Sequence, residues 1–249
     1  MTHVSPRAAA GALVFALLFP TLYTCVGFVL VADSWPALAQ TVYAVGKAIQ
    51  FAFPILWVLA VERWRPTWAR PGAAGLAAGV VFGAVVLAAA VVLYHLWFKP
   101  EQYHHLWFKG DKSLASARNE ILGKLALFGV HGPLGYVALA AFYSVIHSFL
   151  EEYYWRWFVF GRLRDLMPWK TAVVVASVGF MGHHVIVLGT YFGWSSPATW
   201  LFSLAVGLGG AFWAWLYHTS RSLLGPWLSH LLIDAAVFIV GYDLAGPLS

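Results

Sequence analysis

Charge is scarce in this chain of 249 residues: only 10% are Asp, Glu, Lys or Arg, against about 25% in soluble proteins. Hydrophobic residues make up 61%, and the mean hydropathy is +0.74. That composition excludes an ordinary soluble domain. Polar blocks large enough to fold alone are missing too, since apolar segments continue from near residue 8 to near residue 243. The expectation is an all-α fold, a polytopic bundle of transmembrane helices forming a single integral membrane domain over residues 1–249. Cysteine is nearly absent. Cys25 has no second thiol for an internal disulfide, and its apolar neighbours make it a packed thiol rather than a lipoprotein site. The formal charge of +5 does not point to nucleic acid, because nine of the basic side chains fall in short segments consistent with cytoplasmic loops, and the positive-inside rule accounts for that balance better.

Seven stretches approach the roughly 20 apolar residues that cross hydrocarbon: Ala8–Val31, Ala39–Val61, Gly72–Trp97, Pro133–Phe160, Thr171–Tyr191, Ala198–Tyr217 and Ser222–Val240. The first exceeds the h-region of a signal peptide and reads as a retained span. Glu62-Arg63-Trp64-Arg65-Pro66 with Arg70, then Arg156, Arg162, Arg164 and Lys170, and finally Arg221 fall on one side together with Arg7. The rule makes that side, and the N-terminus, cytoplasmic; in a bacterium the membrane would be the cell membrane. Residues 98–132 break the pattern, holding Lys99, Lys109, Lys112, Arg118 and Lys124 on the opposite side. Within them Ala115–Val130 interleaves apolar and charged residues, which suits an amphipathic helix lying along the interface. His95-Leu96-Trp97-Phe98-Lys99 recurs as His105-Leu106-Trp107-Phe108-Lys109. Its Trp and Lys content suits an interfacial belt better than a metal site at His104 and His105.

Ionised groups inside a membrane are rare and tend to be paired or functional. Among the ten acidic residues, Glu151, Glu152 and Asp234 lie in or at the edge of a predicted span, as do His147, His183, His184 and His230. On a helix, residues four apart share a face. Glu152 can therefore pair with Arg156, whereas Glu151 lies about 100° away with His147 and faces the bundle interior. His230 and Asp234 are also four apart. Glu151, His184 or His183, His230 and Asp234 thus form a plausible interior cluster. A buried Glu can take a proton from water while imidazoles stabilise an oxyanion, the inventory of peptide hydrolysis.

Glu151-Glu152-x-x-x-Arg156, Phe180-x-x-x-His184 and His230-x-x-x-Asp234, in this order and on separate spans, resemble the three motifs of the CAAX protease and bacteriocin-processing family. These are glutamic intramembrane proteases related to type II CAAX prenyl endopeptidases. The resemblance covers about Ser144 to Ala236, within a catalytic-type core of about 133–243. It implies that Glu151 activates water, that His184 positions it, that His230 and Asp234 stabilise the oxyanion, and that Glu152 and Arg156 are supporting. Phe180 enters as the first residue of the second motif, and His147 and His183 as supporting side chains. No cofactor and no metal are implied. The implied partners are the lipid bilayer and a protein or peptide substrate with a membrane-associated segment, cut near its C-terminal or membrane-proximal part. Trp157 stands where many members have Gly. Asp234 stands where the prenyl-protein proteases have Asn, and because an ionised Asp would repel an oxyanion, it must act as a neutral donor or by orienting His230.

Other classes fit less well. A metal-dependent protease would draw on the same Glu, His and Asp residues, but HExxH is lacking. Serine and aspartyl intramembrane chemistry lack, respectively, a Gly-flanked Ser within a span and a second intramembrane Asp. A non-catalytic scaffold, immunity protein or transporter would also bury polar groups, yet inverted halves and Gly/Pro-broken helix pairs are not evident.

Overall fold

A long apolar run in hydrocarbon must satisfy its backbone within itself, and the helix is the local way to do so. The computed structural model, which describes residues 5–32, 34–63, 72–109 and 112–246, has seven helices long and apolar enough to span a membrane among those residues. They are α1 (Pro6–Leu30), α2 (Pro36–Glu62), α3 (Ala73–Phe98), α6 (Gly132–Leu166), α7 (Trp169–Phe192), α8 (Pro197–Ser220) and α9 (Leu224–Ala245). Two shorter helices, α4 (His104–Trp107) and α5 (Leu114–Leu127), lie between α3 and α6. Pro6, Pro36, Pro133 and Pro197 stand in first helical turns, where the missing N–H has no partner to lose. Each expected span is present. The largest differences are the continuation of α6 from 160 to 166 and of α9 from 240 to 245. Arg65 and Arg70 lie outside the described residues.

Small residues set the helix pairing, as expected where lipid is as apolar as Leu. Gly75, Gly79 and Gly83 form a stripe on α3 that meets, in ascending order, Ser220, Gly225 and Ser229, so α3 and α9 run parallel at backbone contact. A Cβ on Gly79 would sit 2.2 Å from the Gly225 carbonyl oxygen. The second half of α6 is the hub. Tyr154, Trp155, Phe158 and Phe160 are nearly inaccessible and pack with Leu13 and Ala16 of α1, Val58 of α2, Ala172, Ala176 and Phe180 of α7, and Trp213 of α8.

The two ends of the bundle differ. At one end Arg162 makes a two-pronged ion pair with Glu62, at 2.8 and 2.6 Å, joining the last turns of α2 and α6. The last turns of α2 and α6 therefore lie at the same end of the bundle. At the other end the described residues of the 98–131 segment, 98–109 and 112–131, pack over the helix ends as a cap. Its basic residues make contacts with the protein. Arg118 donates to the Ala245 carbonyl at the C-terminus of α9 (3.1 Å), and Lys99 bonds Asp243 (3.0 Å). Lys124 lies over the Phe28 ring, and Lys112 is 3.9 Å from Glu120. A cation at a helix C-terminus is favoured by the helix dipole, which accounts for the discordant charge. Both copies of the repeat serve this cap: Phe98 and Phe108 are buried against each other, ring centroids 5.6 Å apart, with Phe192 and Phe202 beside them. His104 Nε2 bonds the Lys99 carbonyl at 3.1 Å.

Candidate active site

Two turns of α6 widen into π-helix, over Phe142–His147 and Tyr153–Phe160, and Ser148–Glu152 lies between them in regular α-helix. Such widened turns are frequent at functional sites. Here they bracket the tandem carboxylates, both buried: Glu151 is 2% and Glu152 0% exposed. Being adjacent on a helix, the two point to different neighbours.

Glu152 is held tightly. Arg156 Nη1 is 3.1 Å from its Oε1, and His230 Nδ1–H donates to the same oxygen at 2.8 Å. The Arg156 guanidinium lies over the rings of Phe180 and Trp213, at 4.5 and 4.8 Å. Gly210 of α8 makes room for that stack, since a Cβ there would be 3.1 Å from Phe180 and 3.3 Å from Arg156 Nη2. His230 stacks on Trp213 at 4.3 Å, and Trp213 Nε1–H donates to Ser229 Oγ. Every polar group on this side is fixed by a ring or an opposite charge, although Glu152 Oε2 itself receives no protein hydrogen bond.

Glu151 is held loosely and from more directions. Its Oε1 is 3.3 Å from Lys47 Nζ of α2, 3.6 Å from His183 Nε2 of α7 and 3.7 Å from His147 Nε2 one turn back on α6. Its Oε2 is 3.8 Å from His230 Nε2, which also lies 3.5 Å from Asp234 Oδ1. Only the lysine contact is within hydrogen-bond reach. His184 Nδ1–H donates to the Phe180 carbonyl at 3.0 Å, which leaves the lone pair on Nε2.

All the residues singled out from the sequence, namely Glu151, His184, His230 and Asp234 with His147, Glu152, Arg156, Phe180 and His183, fall in this one cluster. Three details differ from expectation. His183 reaches Glu151 as directly as any imidazole. The orienting contact of His230 comes from Glu152, on Nδ1, whereas Asp234 lies on the Nε2 side and is 22% exposed. Lys47 was not anticipated. Its signal was present in the sequence, a single cation within an apolar span, a rare and usually paired feature, but its partner lies 104 residues away.

Glu151, His183 and His184 each offer a ligand atom within 4.8 Å of the others, and form the one such donor group among the described residues. Three donors at this spacing resemble a metal-binding set. The Lys47 ammonium, 3.3 Å from the shared carboxylate, already supplies a positive charge there and repels a second.

The fold and the cluster together define an integral, multi-pass membrane protein with acid and imidazole groups gathered in its interior. Residues 133–236, from the start of α6 to the middle of α9, match the family model of Type II CAAX prenyl endopeptidase Rce1-like proteins. That segment is thus similar to the type II CAAX prenyl endopeptidases, a likeness at the level of the family that supports an intramembrane protease. Neither a curated protein nor a solved structure matches the chain.

Proposed function

We propose that the chain is a glutamic-type intramembrane endopeptidase in which Glu151 is the general base. The observation that carries this is the setting of Glu151: a carboxylate 2% exposed, surrounded by imidazoles from α6, α7 and α9 at distances just beyond direct hydrogen bonds. Groups spaced in this way can each turn onto a water or a substrate carbonyl, and catalytic hydrogen bonds are often long before substrate binds. Glu151 takes one proton from water as the oxygen attacks the peptide carbonyl. His184 Nε2, with its lone pair, accepts the water's other hydrogen and aims it. The negative charge then develops on the carbonyl oxygen. With Nδ1–H committed to Glu152, His230 presents Nε2 to that oxyanion, and when both ring nitrogens carry protons, Nε2–H donates while Glu152 balances the imidazolium. Collapse of the tetrahedral adduct breaks the C–N bond, and the proton held by Glu151 passes to the leaving amine. Water has then been added across the bond, with acid and amine as products.

Asp234, on the His230 Nε2 side, is read as a further hydrogen-bonding group at the oxyanion, acting in its neutral form. Glu152 and Arg156 support the site rather than react. The end carrying Glu62 and Arg162 is read as cytoplasmic. The substrate is a protein or peptide whose scissile bond lies near a C-terminal or membrane-proximal segment.

The test uses purified protein in vesicles with two quenched fluorogenic peptides, one bearing a farnesylated cysteine four residues from its C-terminus and one an unprenylated transmembrane peptide. Cleavage of either by the wild type and its loss in Glu151→Gln, with unchanged thermal unfolding, is the expected result. A fully active Glu151→Gln protein overturns the reading.

A further inference from the structure

The segment that matches the family begins at residue 133, yet the shortest polar contact of Glu151 comes from Lys47 on α2. We propose that Lys47 is a positioning residue of this site, whose ammonium holds Glu151 as an oriented carboxylate in the bundle interior. The proposal rests on the reading of Glu151 as the base.

The geometry around Lys47 is built to place it. Tyr43, Lys47 and Phe51 follow one another at four-residue steps on one face of α2, and the ammonium lies 5.7 and 5.3 Å from the two rings. The flanking residues set that face against α1. Gly46 meets the Tyr23 ring so closely that a Cβ would be 2.5 Å from it, and Tyr23 OH donates to the buried Gln50 Oε1 at 2.6 Å. Helix α2 is thus fixed in height and rotation on both sides of Lys47. Its far end is held again by Glu62 on Arg162.

The chemistry calls for a cation at this point. Glu151 has a side-chain exposure of 3%, and a buried carboxylate without a partner gives up its charge. The groups facing it are His147 on α6, His183 and His184 on α7, and His230 and Asp234 on α9, with Tyr23 of α1, Tyr43 of α2 and Tyr143 of α6 farther out. Each imidazole is neutral or charged according to its proton, and Arg156 is engaged by Glu152. Lys47 brings a fixed positive charge onto Oε1. The oxygen left for water is Oε2, on the side of His230 and Asp234. A hydrolase that relied on a divalent ion would place it against the same carboxylate; here a side chain from another helix supplies the charge.

Two readouts test this. The first, independent of substrate, is the infrared difference spectrum between wild type and Glu151→Gln at neutral pH, which isolates the band of Glu151. The expected band is that of a carboxylate; in a Lys47→Met background the same difference reports a protonated carboxyl group, and in Lys47→Arg a carboxylate again. The second is hydrolysis of the two fluorogenic peptides. Lys47→Met is expected to lower kcat about 10²-fold, the effect of a slightly misplaced reacting group, with KM within about twofold and recovery in Lys47→Arg. A carboxylate band and wild-type kcat in Lys47→Met overturn the proposal. If Lys47→Met does not accumulate as folded protein, Lys47→Gln carries the same two predictions. Full activity in Glu151→Gln would remove the base assignment, while the infrared comparison would still decide whether Lys47 holds that carboxylate charged.

Discussion

Glu151 and Glu152 are neighbours in sequence and nearly equal in burial, yet their surroundings are opposite. Around Glu152 the contacts are short, at 2.8 and 3.1 Å, and locked by stacked rings. Around Glu151 the imidazoles stand off at 3.6–3.8 Å, and the one short contact comes from a distant helix. A charge gripped at hydrogen-bond distance is held in place, whereas one whose neighbours stand just out of reach has room for a reacting atom. In the proposed function, this contrast lets one helix turn supply both the strut and the reagent of a site. It also predicts that the two carboxylates fail in different ways when changed.

The largest expected effect is on chemistry at the loose side. Glu151→Gln should lower peptide cleavage by about 10²–10⁴-fold, the range for a lost general base, while thermal unfolding in detergent stays near wild type. His230→Ala should follow at about 10²–10³-fold in kcat, the scale of a removed oxyanion donor, and it should also destabilise, because Glu152 loses its 2.8 Å partner. At the tight side the loss is one of folding. Arg156→Met leaves Glu152 without its guanidinium in a dry site and should cost about 3–5 kcal/mol, read from denaturant unfolding. The double change Glu152→Gln with Arg156→Met should recover part of that loss, and if it recovers nothing, the pair is not the strut described above. Gly210→Ala, which presses on Phe180 and Arg156 from α8, should cost about 1–3 kcal/mol. Smallest is Asp243→Asn at the exposed Lys99 pair, where less than about 1 kcal/mol is expected. An effect on cleavage there would mean that the cap communicates with the interior.

The sequence made the helices legible because membrane thickness dictates their length. It made the acids and histidines legible because polar groups are rare in such spans. The spacing of Glu152 and Arg156 disclosed an ion pair, since both lie on one helix. What stayed hidden depends on contacts between helices. Lys47 could be seen as anomalous but not assigned, since nothing local says which of several buried acids it meets. The choice between His183 and His184 has the same origin: one points its Nε2 at Glu151 while the other ties Nδ1 to its own helix at Phe180. Arg118 of the 98–131 segment departs from a rule about loops because it caps the end of α9, a role that appears only once that end is beside it.

The widened turns of α6 carry a consequence for how this helix can change over time. A regular α-turn holds about 3.6 residues and a π-turn closes one residue later, so each widened stretch accommodates residues that a regular helix would not. Deleting one residue within Phe142–His147 would let that stretch relax to α-helix while the turns on either side keep their facing, so Glu151 would stay aimed at the same neighbours. Deleting one within Tyr153–Phe160 would be absorbed in the same way, whereas a deletion in the regular Ser148–Glu152 stretch would rotate the glutamates by about 100° relative to the aromatic hub. Single-residue gaps should therefore be better tolerated within the two widened stretches than between them, so the helix can change length while the glutamates keep their facing.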